Sequence, residues 1–312
     1  MISPEPSSAI ERRKRARRRL DGAVVLVTGA ARGIGEHTAR RAAVRGARLS
    51  LVGLEPERLA ALAAELGPEH AWFEADVTDQ AALDRAVAGT AEALGGIDVV
   101  LANAGIANRG TVATGPVDAL ARTIEVNLLG VVRTVSATLP HVVARRGYYL
   151  LVSSAAAFTV APGMAAYCAA KAGVEHFGNA LRLEVAHRGV AVGTAHPSWV
   201  DTDLVRDSIS DLETFRRNLG RLPGPLGRIT TVEECAESFV DGMMRRRRRV
   251  YVPRAVGLVQ QLRTVLLGPL GEAALRRSAR RLVPEMEAEF AAAPHPFGPH
   301  SAESRRSGAE AG

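Results

Sequence analysis

Tyr167 and Lys171 stand four residues apart in Tyr167-Cys-Ala-Ala-Lys171, a spacing that puts both side chains on one face of a helix. A phenol that titrates near ~10 in water needs a nearby cation to work as an acid or base at neutral pH; an ammonium supplies that field without having to take the proton. Composition sharpens the point. The chain uses arginine almost wherever it uses a cation and contains two lysines, Lys14 and Lys171, so Lys171 is the one lysine of the expected folded body. A compact, rotatable ammonium fits this role and a planar guanidinium does not replace it. The bland alternative is a chance Tyr and Lys on an exposed helix face.

Such a pair needs a scaffold, and the hydrophobic pattern supplies one. Short apolar runs alternate with longer segments at helical spacing, and the predicted strands are Val24 to Thr28, Ala47 to Val52, Ala71 to Glu74, Ile97 to Ala102, Tyr148 to Ser153, Val190 to His196 and Val250 to Val252. Runs such as Val24-Val25-Leu26-Val27 imply burial on both faces. Right-handed crossovers then give an α/β fold, a Rossmann-type doubly wound parallel sheet of about seven strands with helices on both faces. The first strand leads into Thr28-Gly-Ala-Ala-Arg-Gly-Ile-Gly35, whose glycines let the backbone turn tightly and approach a pyrophosphate at the N-terminus of the next helix. The spacing differs from Gly-x-Gly-x-x-Gly, and an ordinary strand-to-helix turn would use the same residues.

Together these features resemble the short-chain dehydrogenases/reductases in their compact, single-domain form, over about residues 20 to 253. Gly29, Arg32, Gly33, Ile34 and Gly35 fall in that family's Thr-Gly-x-x-x-Gly-x-Gly cofactor motif. Asp76-Val77 follows the third predicted strand, as the family's adenine-contacting Asp does, and Asn103-Ala104-Gly105 follows the fourth, as its Asn-Ala-Gly turn does. The resemblance implies an NAD(P)-dependent oxidoreductase that transfers a hydride between nicotinamide C4 and an alcohol or ketone. It makes Tyr167 the general acid/base, Ser154 the residue that bonds the substrate oxygen, with Ser153 as the alternative, and Lys171 a contact of the nicotinamide ribose. Asn127 matches the family's helical Asn that holds a water in the proton relay, and Pro197, Val200 and Thr202 match the contacts around the carboxamide. One departure is visible: the family's Pro-Gly-x-Val-x-Thr reads Pro197-Ser198-Trp199-Val200-Asp201-Thr202 here, which predicts a reshaped loop, with Trp199 either lining the substrate site or half-buried in the core.

The residue ending the second predicted strand should choose the cofactor, since a carboxylate there binds a ribose 2′-hydroxyl and repels a 2′-phosphate. That residue is Gly53, and Arg32 lies in the Gly-rich turn, so NADP(H) is favoured; Glu55, two residues on, leaves NAD(H) open. Substrate contacts are expected from Phe158, Met164 and a loop over residues 203 to 226, suggesting a hydrophobic alcohol or ketone. The rival of another class is a cofactor-binding regulator or scaffold that catalyses nothing; the intact Ser154, Tyr167 and Lys171 set argues against it.

Composition bounds the rest. The 312 residues, 47% hydrophobic, suit one large domain with appendages. Residues 1 to 19, with seven basic residues between Arg12 and Arg19, form an expected disordered arm; the domain spans 20 to 254, an amphipathic helical extension 255 to 288 and a disordered tail 289 to 312. In the extension, Ala255, Val259, Leu262 and Leu266 make one apolar stripe, read as packing within an oligomer ahead of resting on a membrane surface. Two cysteines, Cys168 and Cys235, make no disulfide framework and point to a reducing cytoplasm. The Arg245 to Arg249 run reads as a solvated charge face; without interleaved aromatics it predicts no nucleic-acid partner. No metal site is expected. A homodimer or homotetramer through the helices at 118 to 144 and 165 to 187 follows from the family resemblance.

Overall fold

The computed structural model describes residues 20–108, 110–220 and 227–292. Seven parallel strands form one sheet: β1 (Val24–Thr28), β2 (Arg48–Gly53), β3 (Ala71–Glu74), β4 (Val99–Ala102), β5 (Tyr148–Val152), β6 (Ala191–Pro197) and β7 (Arg249–Val252). Their spatial order is β3-β2-β1-β4-β5-β6-β7, so the chain reverses its direction of travel between β1 and β4. That reversal opens a crevice at the carboxyl edge of the sheet, where Gly29 and Asn103 emerge from adjacent strands.

The central strands β1, β4 and β5 are buried along their whole length because both faces of the sheet are covered there, which is why they read as apolar runs. On one side β1 and β2 bury Val25, Val27, Leu49 and Leu51 against α1 (Gly33–Val44), α2 (Pro56–Leu66) and α9 (Val232–Met244). On the other, Leu26, Val100 and Leu151 pack with α3 (Gln80–Leu94), α5 (Gly130–Ala144) and α6 (Ala165–Glu184). Tyr148 and Tyr149 are both fully buried on β5, and each finds a partner for its hydroxyl, Arg247 O at 2.8 Å and Thr138 Oγ1 at 2.9 Å. The long run Val117–Ala144 is apolar enough by composition to cross a bilayer, yet its Val126, Val131, Val135 and Val142 are buried in this core. It comprises α4 (Val117–Ile124), one π-helical turn at Glu125–Leu129 and α5.

Several expectations change. The segment over 203 to 226 is not a loop throughout: it forms α7 (Asp203–Asp211) and α8 (Glu213–Leu219), with residues 221–226 outside the described ones. The extension is not one amphipathic helix but α10 (Val256–Gln261), α11 (Arg263–Leu266) and α12 (Pro269–Ala292). Its buried large apolar side chains are Val256, which packs beside Ala155 and Phe158, and Met286 of α12; Leu262 and Leu266 of the expected stripe are exposed. Residues 289 to 292, expected in the tail, close α12; the basic arm and residues 293–312 lie outside the described residues. Arg249 departs from a solvated charge face, since it sits on β7 and pairs at 2.6 Å with the buried Glu175.

Candidate active site

A single cleft of about 680 Å³ runs along the carboxyl edge of the sheet, from Gly53 and Asp76 past Gly29 and Asn103 to Ser154, Tyr167 and Trp199. At one end β1 turns into α1 through Gly29 (φ +64°) and Gly33 (φ +55°), a left-handed backbone that only glycine adopts freely. Arg32, the residue before α1, gives no side-chain cap to the first turn, and Gly33 and Ile34 of that turn line the cleft. Gly35 does not line the cleft but sits behind the turn, where a Cβ would come 2.1 Å from Gly29 O. The Asn103 amide ties the turns together by donating to Thr28 O (3.0 Å) and Gly29 O (3.2 Å), while Thr28 Oγ1 accepts from the N–H of Asn103 and Ala104. Uncapped N–H groups, glycines without side chains and a positive helix end together fit a dinucleotide pyrophosphate.

Asp76 and Val77 line the wall beyond β3. Burial would raise the Asp76 carboxyl, but the Thr78 N–H and hydroxyl and the Arg122 guanidinium, 2.7 Å away, outweigh it and hold it low. The sequence reading missed Arg122, which α4 brings across. Gly53 ends β2 in the cleft wall as expected, and Arg32 forms an ion pair with Glu55 there.

At the other end Ser154, Tyr167, Lys171 and Asn127 converge on the cleft. Tyr167 and Lys171 share a face of α6, with Lys171 Nζ 5.5 Å from the centre of the Tyr167 ring. Lys171 is 3% exposed and donates to Val152 O at 3.0 Å; burial lowers its ammonium to about 8. Burial pushes the Tyr167 phenol up to about 12, against a hydrogen bond with Ser154 that lowers it. The two serines divide their work. Ser153 Oγ donates to Lys171 O at 2.7 Å and so pins α6, leaving Ser154 to bond Tyr167 and, at 3.3 Å, Pro197 O.

Asn127 lies in the π-helical turn, where the irregular register lets its amide donate to Ile106 O (2.7 Å) and Thr123 O (2.8 Å). Its Oδ1 is buried without a hydrogen-bond partner. A Cβ on Gly105 would sit 2.7 Å from this oxygen and 3.5 Å from Lys171 Nζ, so the missing side chain leaves a gap between the two. An unsatisfied acceptor facing an ammonium across a small void is a place for a bridging water.

Pro197, Val200 and Thr202 line the same end, and Thr202 Cγ2 approaches Gly33. Ser198 in place of the family's glycine introduces no strain, because among the described residues the only non-glycine positions with left-handed φ are Arg146 and Arg246. Trp199 lines the cleft and meets Phe215 of α8 edge-on at 5.1 Å. Met164 is in the wall with Thr159, Val160 and Ala161, but Phe158 is not: it is 2% exposed and packs on the His196 ring.

That histidine belongs to a layer the sequence reading did not find. His196 is fully buried behind Ser154, and burial lowers its pKa far enough to keep it neutral. Ser154 O can only accept, so Nδ1 carries the proton toward it at 3.3 Å and Nε2 accepts from Thr194 Oγ1 at 3.1 Å. Glu175, one turn beyond Lys171, holds both Arg249 and Gln260 of α10. Glu175 stands at i+4 from Lys171, but its partners are 74 and 85 residues away, and no local pattern announces them. The C-terminal helix was missed as well. Met286 and Phe290 of α12 press on Gly163, Glu287 accepts from Thr111, and Glu289 accepts from the N–H and hydroxyl of Thr214 on α8.

A parallel doubly wound sheet with this cleft defines a nicotinamide-dinucleotide oxidoreductase as the class. The model of the short chain dehydrogenase family matches residues 23–213, and the chain belongs to that family. It is an NAD(P)-dependent oxidoreductase. It is 34% identical to meso-2,3-butanediol dehydrogenase of Serratia marcescens over 211 residues, 66% of this chain and 84% of that one. It is also 34% identical over 225 residues to glycine betaine reductase ATRR of Emericella nidulans, covering 71% of this chain but only 17% of that much longer protein. Among solved structures, a short chain dehydrogenase/reductase from Burkholderia phymatum in complex with NAD shares the fold with a TM-score of 0.70 at 22% identity, over 80% of this chain and 95% of that one.

Proposed function

We propose that this protein interconverts a hydrophobic alcohol and its ketone, using NADP(H) in preference to NAD(H), with Tyr167 as general acid and base. The observation that carries this reading is the continuity of one cleft from the uncapped turn at Gly29 and Gly33 to the Ser154, Tyr167 and Lys171 group. Gly29, Gly33, Ile34, Asp76 and Asn103 would hold the dinucleotide, which when bound supplies or accepts the hydride. Ser154 and the Tyr167 phenol bond the carbonyl oxygen and polarise it. Tyr167 gives its proton to the developing alkoxide in reduction and takes it back in oxidation. The Lys171 ammonium stabilises the phenolate left behind, and a water held by Asn127 Oδ1 beside Gly105 returns the proton. Val160, Ala161, Met164 and Trp199 give the substrate end its apolar wall.

The preference for NADP(H) rests on Gly53, which leaves β2 without a carboxylate, and on Arg32 at the same edge of the cleft. The Arg32–Glu55 ion pair favours the second reading, NAD(H), since Glu55 both neutralises the guanidinium and can accept from a ribose hydroxyl. A homo-oligomer in a reducing cytoplasm completes the proposal; the exposed Ile124 and Leu129 on the 117–144 helical run and the free Cys168 and Cys235 support those two parts.

Calorimetric titration with NADPH and with NADH tests the cofactor reading. NADPH should bind more tightly, and Glu55→Gln should widen the gap by about fivefold by removing a like charge. Tighter NADH binding that Glu55→Gln weakens would establish the second reading instead.

A further inference from the structure

Of the sixteen large apolar side chains exposed among the described residues, seven fall between Leu258 and Leu275, in a stretch of eighteen residues. Leu258, Leu262, Val265 and Leu266 follow i, i+4, i+7, i+8 spacing, so they form one outward stripe over α10 and α11, and Leu270 beyond them is 89% exposed. Scattered exposed leucines need no explanation; a contiguous set does. The flanks are basic. Residues 254 to 281 contain six arginines, all exposed, against one carboxylate, Glu272, which gives the patch a net charge of +5.

We propose that residues 254–281 are a docking surface for an anionic lipid bilayer, with the leucines entering the interface and the arginines reaching the headgroups. The charge decides between this occupant and a second copy of the chain. A two-fold contact would set this face against itself and oppose +5 with +5, whereas anionic headgroups neutralise it while the apolar stripe leaves water. Arginine stems long enough to lie along the stripe and extend their charged ends suit the same boundary. The position suits it too. The helix that begins in the patch ends at the cleft, where Met286 and Phe290 touch Gly163 between the wall residues Ala161 and Met164. A hydrophobic substrate dissolved in a membrane would then meet the enzyme at its docked edge.

Flotation of the full-length protein with vesicles tests this surface without any assay of activity. The expected result is binding to phosphatidylcholine vesicles containing about 30% phosphatidylglycerol, weakening as salt is raised and much lower on phosphatidylcholine alone. The double variant L262D/L266D should lose at least about tenfold in vesicle partitioning while keeping its oligomeric mass and NADPH affinity. Absence of native binding would overturn the proposal. So would undiminished binding of the double variant, which would assign attachment to the basic residues 12–19, and so would a variant of reduced mass from a native protein that ignores vesicles, which would make the face a contact between copies.

Discussion

The two ends of the cleft are built on opposite principles. At the Gly29 end the working groups are backbone N–H donors, and the important feature of the residues is that they have no side chain. At the Tyr167 end everything depends on side chains held in dry surroundings: Asn127, Ser154 and Lys171 are 0%, 7% and 3% exposed. The first end should be broken by adding a methyl group and the second by removing a functional one. Damage at the first should register as lost affinity, and at the second as lost turnover.

The largest separation should come from Lys171. Lys171→Met and Lys171→Arg are both expected to lower turnover by about 100-fold or more, the arginine failing because a fork-shaped cation does not fit a pocket made for an ammonium; an active Arg variant would remove the geometric argument. Steady-state kinetics against pH give a second view. Reduction should fall as pH rises through about 8 because Lys171 loses its charge there, while Tyr167, pushed up to about 12, stays protonated. Stability should run the other way. The native Lys171 releases its proton near 8 and the unfolded one near the usual 10.5, so between those values the unfolded chain binds more protons and stability rises with pH. Lys171→Met should abolish that slope and stabilise the fold at neutral pH by about 1–2 kcal/mol, net of the lost bond to Val152 O.

A smaller effect, at the opposite end, is expected of Gly35→Ala. Its Cβ would press on Gly29 O and on the Asn103 amide, 2.1 and 2.7 Å away, so the turn must open. NADPH affinity should fall about 10- to 100-fold, with a lowered melting temperature and turnover at saturation far less affected. Equal loss of turnover would show that the two ends are not separable.

The difference between the ends also explains what could be read in the sequence. The central strands were legible because strands buried on both faces are apolar throughout, and the Gly-rich turn because its glycines lie within one seven-residue stretch. Tyr167 and Lys171 were legible for the same reason, one helical turn apart. Phe158 was misplaced because an aromatic residue between Ser154 and Tyr167 looks alike whether it faces a cleft or the buried His196 ring. The apolar period of the extension was legible, but the breaks that divide it into α10, α11 and α12 leave no mark on that period. Glu289 on Thr214 and Gln260 on Glu175 join residues 75 and 85 positions apart, and no local pattern records such pairs.

The central claim is that Tyr167 performs the proton transfer in a cleft that binds the cofactor without it. Tyr167→Phe removes one oxygen and tests this most directly, with NADPH affinity and turnover measured on the same preparation. Affinity close to native with turnover reduced at least about 100-fold is the expected result. Near-native turnover would contradict the mechanism outright.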